Sequence, residues 1–176
     1  AAMGGDTMPA ALDAVAAEID NLRVVWRRLV DDGDLDVLRR MMAGYTIYFY
    51  TRSLFQPGLA GMPYAQTDLS AAIPAGLHAE IMARRAMFLA EVGAYDACIQ
   101  AADGALALVG SRDDGAAHTA VIALAELCRG YAHWSQGNYD AAHDHLQTAV
   151  ANATNPDLNW IKAQRLNQLG NVALDQ

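Results

Sequence analysis

A six-residue pattern occurs twice in this chain, 44 positions apart. Gly93-Ala-Tyr95-Asp-Ala-Cys98 and Gly137-Asn-Tyr139-Asp-Ala-Ala142 share glycine, any residue, tyrosine, aspartate, alanine and a small residue, and seven residues later each reaches a further alanine, Ala105 and Ala149. Glycine suits the left-handed residue that ends a helix, and an acidic residue suits the first turn of the next, so each copy reads as a turn between two helices. Forty residues before Gly93 stands Ser53-Leu-Phe55, with Gly58 at the small-residue position and Ala65 at the later alanine, a degenerate third copy. Forty residues after Gly130 stands Gly170, in Leu169-Gly-Asn-Val-Ala. A period of this length marks a supersecondary unit that cannot bury its apolar face alone and stacks on its neighbours instead.

Between the copies, Gly, Pro, Asn and Asp divide the chain into helix-length blocks, and no strand-like alternation occurs. Residues 9–31 place Val15, Ile19, Leu22, Val25, Trp26 and Leu29 at helical spacing and end at Asp32-Gly33. Asp34 caps a second helix to about Arg52, and a weaker block runs from Phe55 to Leu69, interrupted by Gly58, Gly61 and Pro63. Helices are then predicted over about 75–92, 95–109, 116–135, 139–153 and 157–174, the last opened by Asn155-Pro156 as N-cap and first helical residue. The expected fold is all-α, an α-solenoid of antiparallel helix pairs with about eight helices in one domain. Residues 1–8 are set outside that fold. A leading helix over 9–33 precedes a degenerate repeat (34–72), two clear repeats (75–110 and 116–153) and an unpaired terminal helix (156–176).

Small residues at Gly130, Ala86, Gly170, Ala142 and Cys98 fall where paired helices must approach, and Tyr95 and Tyr139 fill the gap beside the turn. In the aromatic block, Tyr45, Tyr48, Phe49 and Tyr50 lie within six residues and cannot share one side of a helix. At least one is expected on the surface or against a neighbouring chain.

Composition narrows the function. Hydrophobic residues make up 53% and alanine about a fifth of the 176 residues, which suits a packed helical chain and excludes a disordered one. Twenty acidic against twelve basic side chains leave a net charge of -8, and Lys162 is the only lysine. No patch can neutralise several phosphates, so neither nucleic acid nor an anionic membrane is an expected partner. The longest apolar candidate, Met41 to Thr51, is closed by Arg40 and Arg52, too short to span a bilayer. Cys98 and Cys128 lack a CxxC spacing, and with no basic stretch ahead of an apolar one at the start, the expected location is the reducing cytoplasm.

Gly130-Tyr-Ala-His-Trp-Ser-Gln-Gly-Asn-Tyr-Asp-Ala-Ala142 through Ala149 resembles a tetratricopeptide repeat, with its paired glycines, turn tyrosine and two later alanines. The 40 to 44 residue period is longer than that family's usual one and resembles the extended repeats of bacterial signal-transduction ATPases and of LuxR-type, maltotriose-responsive transcription activators. Ala17-Glu-Ile-Asp-Asn-Leu-Arg-Val-Val-Trp26, Asp32-Gly-Asp-Leu and the aromatic-rich helix are similar to the segment that opens the repeat region there. The resemblance covers about residues 12–176 and implies a right-handed superhelix whose first helices line a concave face. It also implies a non-catalytic module that receives an inducer or protein partner and passes the signal to an ATPase. Arg85 and Arg129 depart from the pattern, standing where the repeat usually has leucine. No GxxxxGK[ST] and no basic recognition helix occur, so the ATPase and DNA-binding parts would lie in other chain, and this segment is expected to be a fragment cut within a repeat.

Catalytic and metal patterns fail on spacing. His143 and His145 lie about 200° apart around a helix and cannot chelate one ion together. His78, His118 and His133 fall on different helices with no HExxH, and read as surface or interhelix hydrogen-bonding groups. Cys98 reads as a buried, inert thiol, no GxSxG occurs, and Asp31, Asp32, Asp34, Asp36, Asp113 and Asp114 cluster at helix ends as caps without the order of a calcium loop. No catalytic residue, metal or cofactor is expected.

Stacked in the tetratricopeptide way, the first helices would present Arg40, Ile47 and Tyr50, then Met87 and Glu91, then Leu127, Tyr131 and Trp134, then Asn167 and Asn171. That face is aromatic and apolar and lacks the lysine and asparagine set that grips a terminal carboxylate. It suits an extended apolar segment, a helix or a small amphiphilic ligand. At helical spacing Tyr131 and Trp134 also read as core, and the sequence leaves both readings open. A second possible role is self-association into a homodimer through the terminal helix, with Ile161, Leu166, Leu169 and Val172.

Overall fold

A computed structural model of the chain describes residues 8–62, 73–109 and 116–153. Among the described residues there are seven helices and no strand: α1 (Met8–Asp31), α2 (Leu35–Thr51), α3 (Phe55–Gly61), α4 (Ala75–Glu91), α5 (Tyr95–Val109), α6 (Ala116–Ser135) and α7 (Tyr139–Asn152). The protein is all-α. The eighth helix expected over 157–174 lies outside the described residues, as do Ala65 and Gly170. Helix α3 stops at Gly61, short of Leu69, because Met62 precedes a proline and takes the extended conformation (φ -66°, ψ 139°) that a following pyrrolidine ring favours.

The repeat is a repeated helix cap. Gly33, Ser53, Gly93 and Gly137 have φ of 71°, 54°, 78° and 79°, the only positive values among the described residues. At each, the N–H of the left-handed residue donates to the carbonyl three positions back (Val30, Tyr50, Ala90, Trp134). The next N–H donates to the carbonyl five back (Leu29, Phe49, Leu89, His133), at 2.8 to 2.9 Å. This paired closure satisfies the last carbonyls of a helix and reverses the chain, and two residues after each cap the next helix begins. Ser53 is thus the structural equal of Gly93, in a conformation its side chain disfavours.

Burial follows the same register. Five residues beyond each cap, Leu38, Gly58, Cys98 and Ala142 are buried; seven residues before each, Trp26, Thr46, Ala86 and Gly130 are buried. These two positions face each other across α6 and α7. A Cβ built on Gly130 would lie 2.5 Å from Leu146 Cγ and 3.2 Å from the Ala142 carbonyl, so only glycine lets the backbones come this close.

The chain divides into two compact units, residues 1–77 and 78–176. In the first, α1 runs antiparallel to α2: the Trp26 ring meets Tyr45 edge-on at 5.5 Å, and Arg52 Nη2 reaches Asp13 Oδ1 at 2.7 Å near the opposite end. Helix α3 folds back on α2, where Tyr45 Oη donates to the Gly58 carbonyl at 2.7 Å and Tyr50 meets Phe55 at 5.4 Å. Tyr45, Tyr48, Phe49 and Tyr50 are all buried, which corrects the expectation that one would be exposed. Trp26 of α1 and Gly58 of α3 both meet Tyr45, Phe55 of α3 meets Tyr50, and Phe49 packs between Tyr45 and Tyr48, so the aromatics are covered by one another and by two neighbouring helices.

In the second unit α4, α5, α6 and α7 follow one another as antiparallel neighbours. Gly104 of α5 faces the Met82 side chain of α4, Cys98 Sγ donates to the Cys128 carbonyl of α6 at 3.5 Å, and α7 returns along α6. The core here is Phe88, Ile81, Met87 and a run of alanines, whose short side chains let the helices approach closely.

Candidate functional site

The residues expected on a concave face meet different fates. Tyr50 is buried against Phe55, Met87 is only 1% exposed, and Leu127 is buried, so these three are core residues. Arg40 is exposed, and Ile47, Glu91, Tyr131 and Trp134 are partly exposed. Asn167 and Asn171 lie outside the described residues. Of the ten, Tyr131 and Trp134 are brought into ring contact, at 5.7 Å between centroids and an interplanar angle of 43°.

Two residues that the concave-face reading left out join them. Tyr95, at the start of α5, meets Tyr131 edge-on at 6.3 Å, and Gln136 Nε2 donates to Asp96 Oδ1 at 2.8 Å. The cap at Gly93 and the helix end at Ser135 place the first residues of α5 beside the last turn of α6. The result is an aromatic face of Tyr95, Tyr131 and Trp134, none of them fully buried, with the exposed carboxylate of Asp96 held at its edge. The repeated Tyr-Asp pair after each glycine was the sequence signal for it. The contact of Tyr95-Asp96 with the end of α6 depends on how the two helices pack.

A second polar constellation joins α5, α6 and α7. Glu126 is buried within an otherwise apolar stretch of α6 and accepts from His145 Nδ1 at 2.7 Å and from Arg129 Nη1 at 3.2 Å. Arg129 Nε lies 3.2 Å from Asp103 Oδ1, and the His133 ring stacks on His145 at 5.2 Å and 14°. Arg129 therefore occupies a leucine position of the resembled repeat with carboxylates from two helices to meet it. Burial holds the His133 imidazole below its ordinary pKa, the nearby His145 and Arg129 push it the same way, and Asp103 opposes them. Burial alone lowers His78. His145 makes an interhelix bond to Glu126, a role the sequence reading gave to His78, His118 and His133 and not to His145, while His143 is exposed and meets Gln147 at 2.7 Å on its own helix.

This constellation fastens helices together, and among the described residues no group of three or more His, Cys, Asp or Glu is placed to hold a metal. Cys98 and Cys128 are both buried. No helix among the described residues is long and apolar enough to cross a membrane. No protein-family model, curated protein or solved structure matches this chain.

Proposed function

We propose that the chain is a non-catalytic interaction and sensor module of a bacterial cytoplasmic signalling or transcription-regulatory ATPase, engaging a protein partner or small inducer through the aromatic face where the start of α5 meets the end of α6. The observation that carries this reading is that Tyr131 and Trp134 stay partly exposed while most apolar positions around them are packed away. Aromatic groups left accessible beside a rigid hairpin suit recognition, because they supply large contact area at small conformational cost. The resemblance to tetratricopeptide repeats supports the sensor role. A ligand that binds one arrangement of the helices better than another would shift their populations.

The test is site-specific photo-crosslinking in cells from position 134, with the exposed Gln147 as the control position. A discrete adduct from 134, absent from 147 and lost from position 95 when Tyr131 and Trp134 are both alanine in a folded protein, is expected. Equal labelling from both positions removes the face from consideration.

Self-association is the second reading. Tyr139 and Val150, 44% and 46% exposed, lie eleven residues apart on α7 and so near one face of that helix, apolar surface on which a second copy would seat. Sedimentation equilibrium decides it: a mass independent of concentration removes the dimer.

A further inference from the structure

We propose that the Tyr95–Tyr131–Trp134 face receives a cationic side chain, the guanidinium of an arginine presented by a partner polypeptide, with Asp96 as its counter-charge. The inference rests on the interaction reading above and names the chemistry of the occupant. Indole is the best of the three aromatic side chains at attracting a cation through its ring face, and guanidinium is the cation that stacks most readily on such a ring. Trp134 is partly exposed and tilted 43° from Tyr131, which braces it from one side, and Tyr95 in turn braces Tyr131.

A ring face alone would take any apolar group. Asp96 makes the choice. Its Oδ1 is fixed at 2.8 Å from Gln136 Nε2, two residues beyond Trp134, so the bond brings a carboxylate to the end of the helix that carries the indole. The partner in that bond is a neutral amide, which orients the carboxylate without neutralising it. A planar fork that stacks on a ring and donates sideways to a carboxylate matches this pair; an ammonium group satisfies the charge without the stacking geometry. The whole chain points the same way: twenty acidic against twelve basic side chains give a net charge of -8, a field that attracts a basic partner and repels phosphate or carboxylate ligands.

The experiment uses the full chain and two tripeptides, acetyl-Gly-Arg-Gly-amide and the same peptide with citrulline, which keeps the shape and removes the charge. The indole N–H signal of Trp134, identified by its loss in Trp134→Phe, is followed by NMR during titration. We expect saturable displacement by the arginine peptide, weaker by between about twofold and thirtyfold for citrulline, the range a cation on an aromatic face spans. Asp96→Asn keeps an acceptor for Gln136 and lies on an exposed side chain, so it leaves the fold intact; it should weaken the arginine peptide and leave the citrulline peptide unchanged. Added salt should weaken the arginine peptide alone. Equal affinities for the two peptides, or unchanged arginine binding in Asp96→Asn, overturn the cation and leave the aromatic interaction face standing. Absence of a saturable shift with either peptide overturns the proposal as well, whereas failure of the crosslinking from position 134 would remove the face itself.

Discussion

Ser53 and the three cap glycines share a backbone conformation and differ in its cost. A left-handed non-glycine residue is disfavoured by about 1–2 kcal/mol, and serine has no amide or carboxylate side chain to offset it locally. Ser53→Gly should therefore stabilise the protein by roughly 0.5–1 kcal/mol, read as a higher urea midpoint at unchanged slope. The opposite change at Gly137 isolates the same term. A Cβ there meets nothing within 4 Å, so Gly137→Ala should cost about 1 kcal/mol from backbone strain alone. Gly130 is the contrasting case. Its conformation is helical, alanine would be the better helix former, and the obstacle is Leu146. Gly130→Ala is expected to destabilise by about 1–3 kcal/mol through overpacking, and pairing it with Leu146→Ala should cost less than the two single changes added together.

Helices α6 and α7 are joined by Glu126 and His145, and α6 to α5 by Arg129 and Asp103. Glu126 holds the centre of that set. Removing it leaves Arg129 and His145 short of their acceptor in a mostly buried place, so Glu126→Ala should cost on the order of 3 kcal/mol in thermal or urea unfolding. Glu126→Gln should cost less because an amide oxygen still accepts. The pH dependence has a definite sign. His133 is held below its ordinary value of about 6.5 in the folded protein, so between the folded and unfolded values the unfolded chain binds more protons. The stability that neutral His133 contributes is present above pH 6.5 and is lost as pH falls through the depressed folded value. His78 acts in the same direction, so the measurement compares urea midpoints from pH 7.5 to 5 in the parent, in His133→Gln and in His78→Gln. Each variant should flatten part of the decline; an unchanged slope in His133→Gln would mean that its imidazole titrates alike in both states. At this scale the sequence was partly informative. Arg129, standing where the resembled repeat has leucine, was the one member of that set the sequence singled out. The sequence could not show that Asp103 and His145 would complete the set, because those lie on other helices and meet α6 only through the rotation at which the hairpins pack.

Across the whole molecule, helix boundaries came from the sequence almost unaided. A cap is closed by residues at most five apart, and glycine with a following aspartate says where it falls, so α2, α4, α5, α6 and α7 begin and end within about one residue of expectation. Even the degenerate copy at Ser53, 40 residues before Gly93, carries the left-handed φ. The repeating burial of Cys98, Ala142, Ala86 and Gly130 was legible for the same local reason, since small residues at a fixed distance from a cap mark the closest approach of a helix pair. Tertiary structure alone decided which aromatic and apolar side chains are covered. Tyr50 and Met87 looked no different from Tyr131 and Trp134 on a helical wheel, yet the first two are core and the second two reach the surface. Likewise Asp96 became part of an aromatic site only through Gln136, forty residues further along the chain. Local chemistry dictates where a helix starts and stops, because its hydrogen bonds close within a turn. The side it shows to solvent is set by neighbours distant in sequence, whose packing no local pattern encodes.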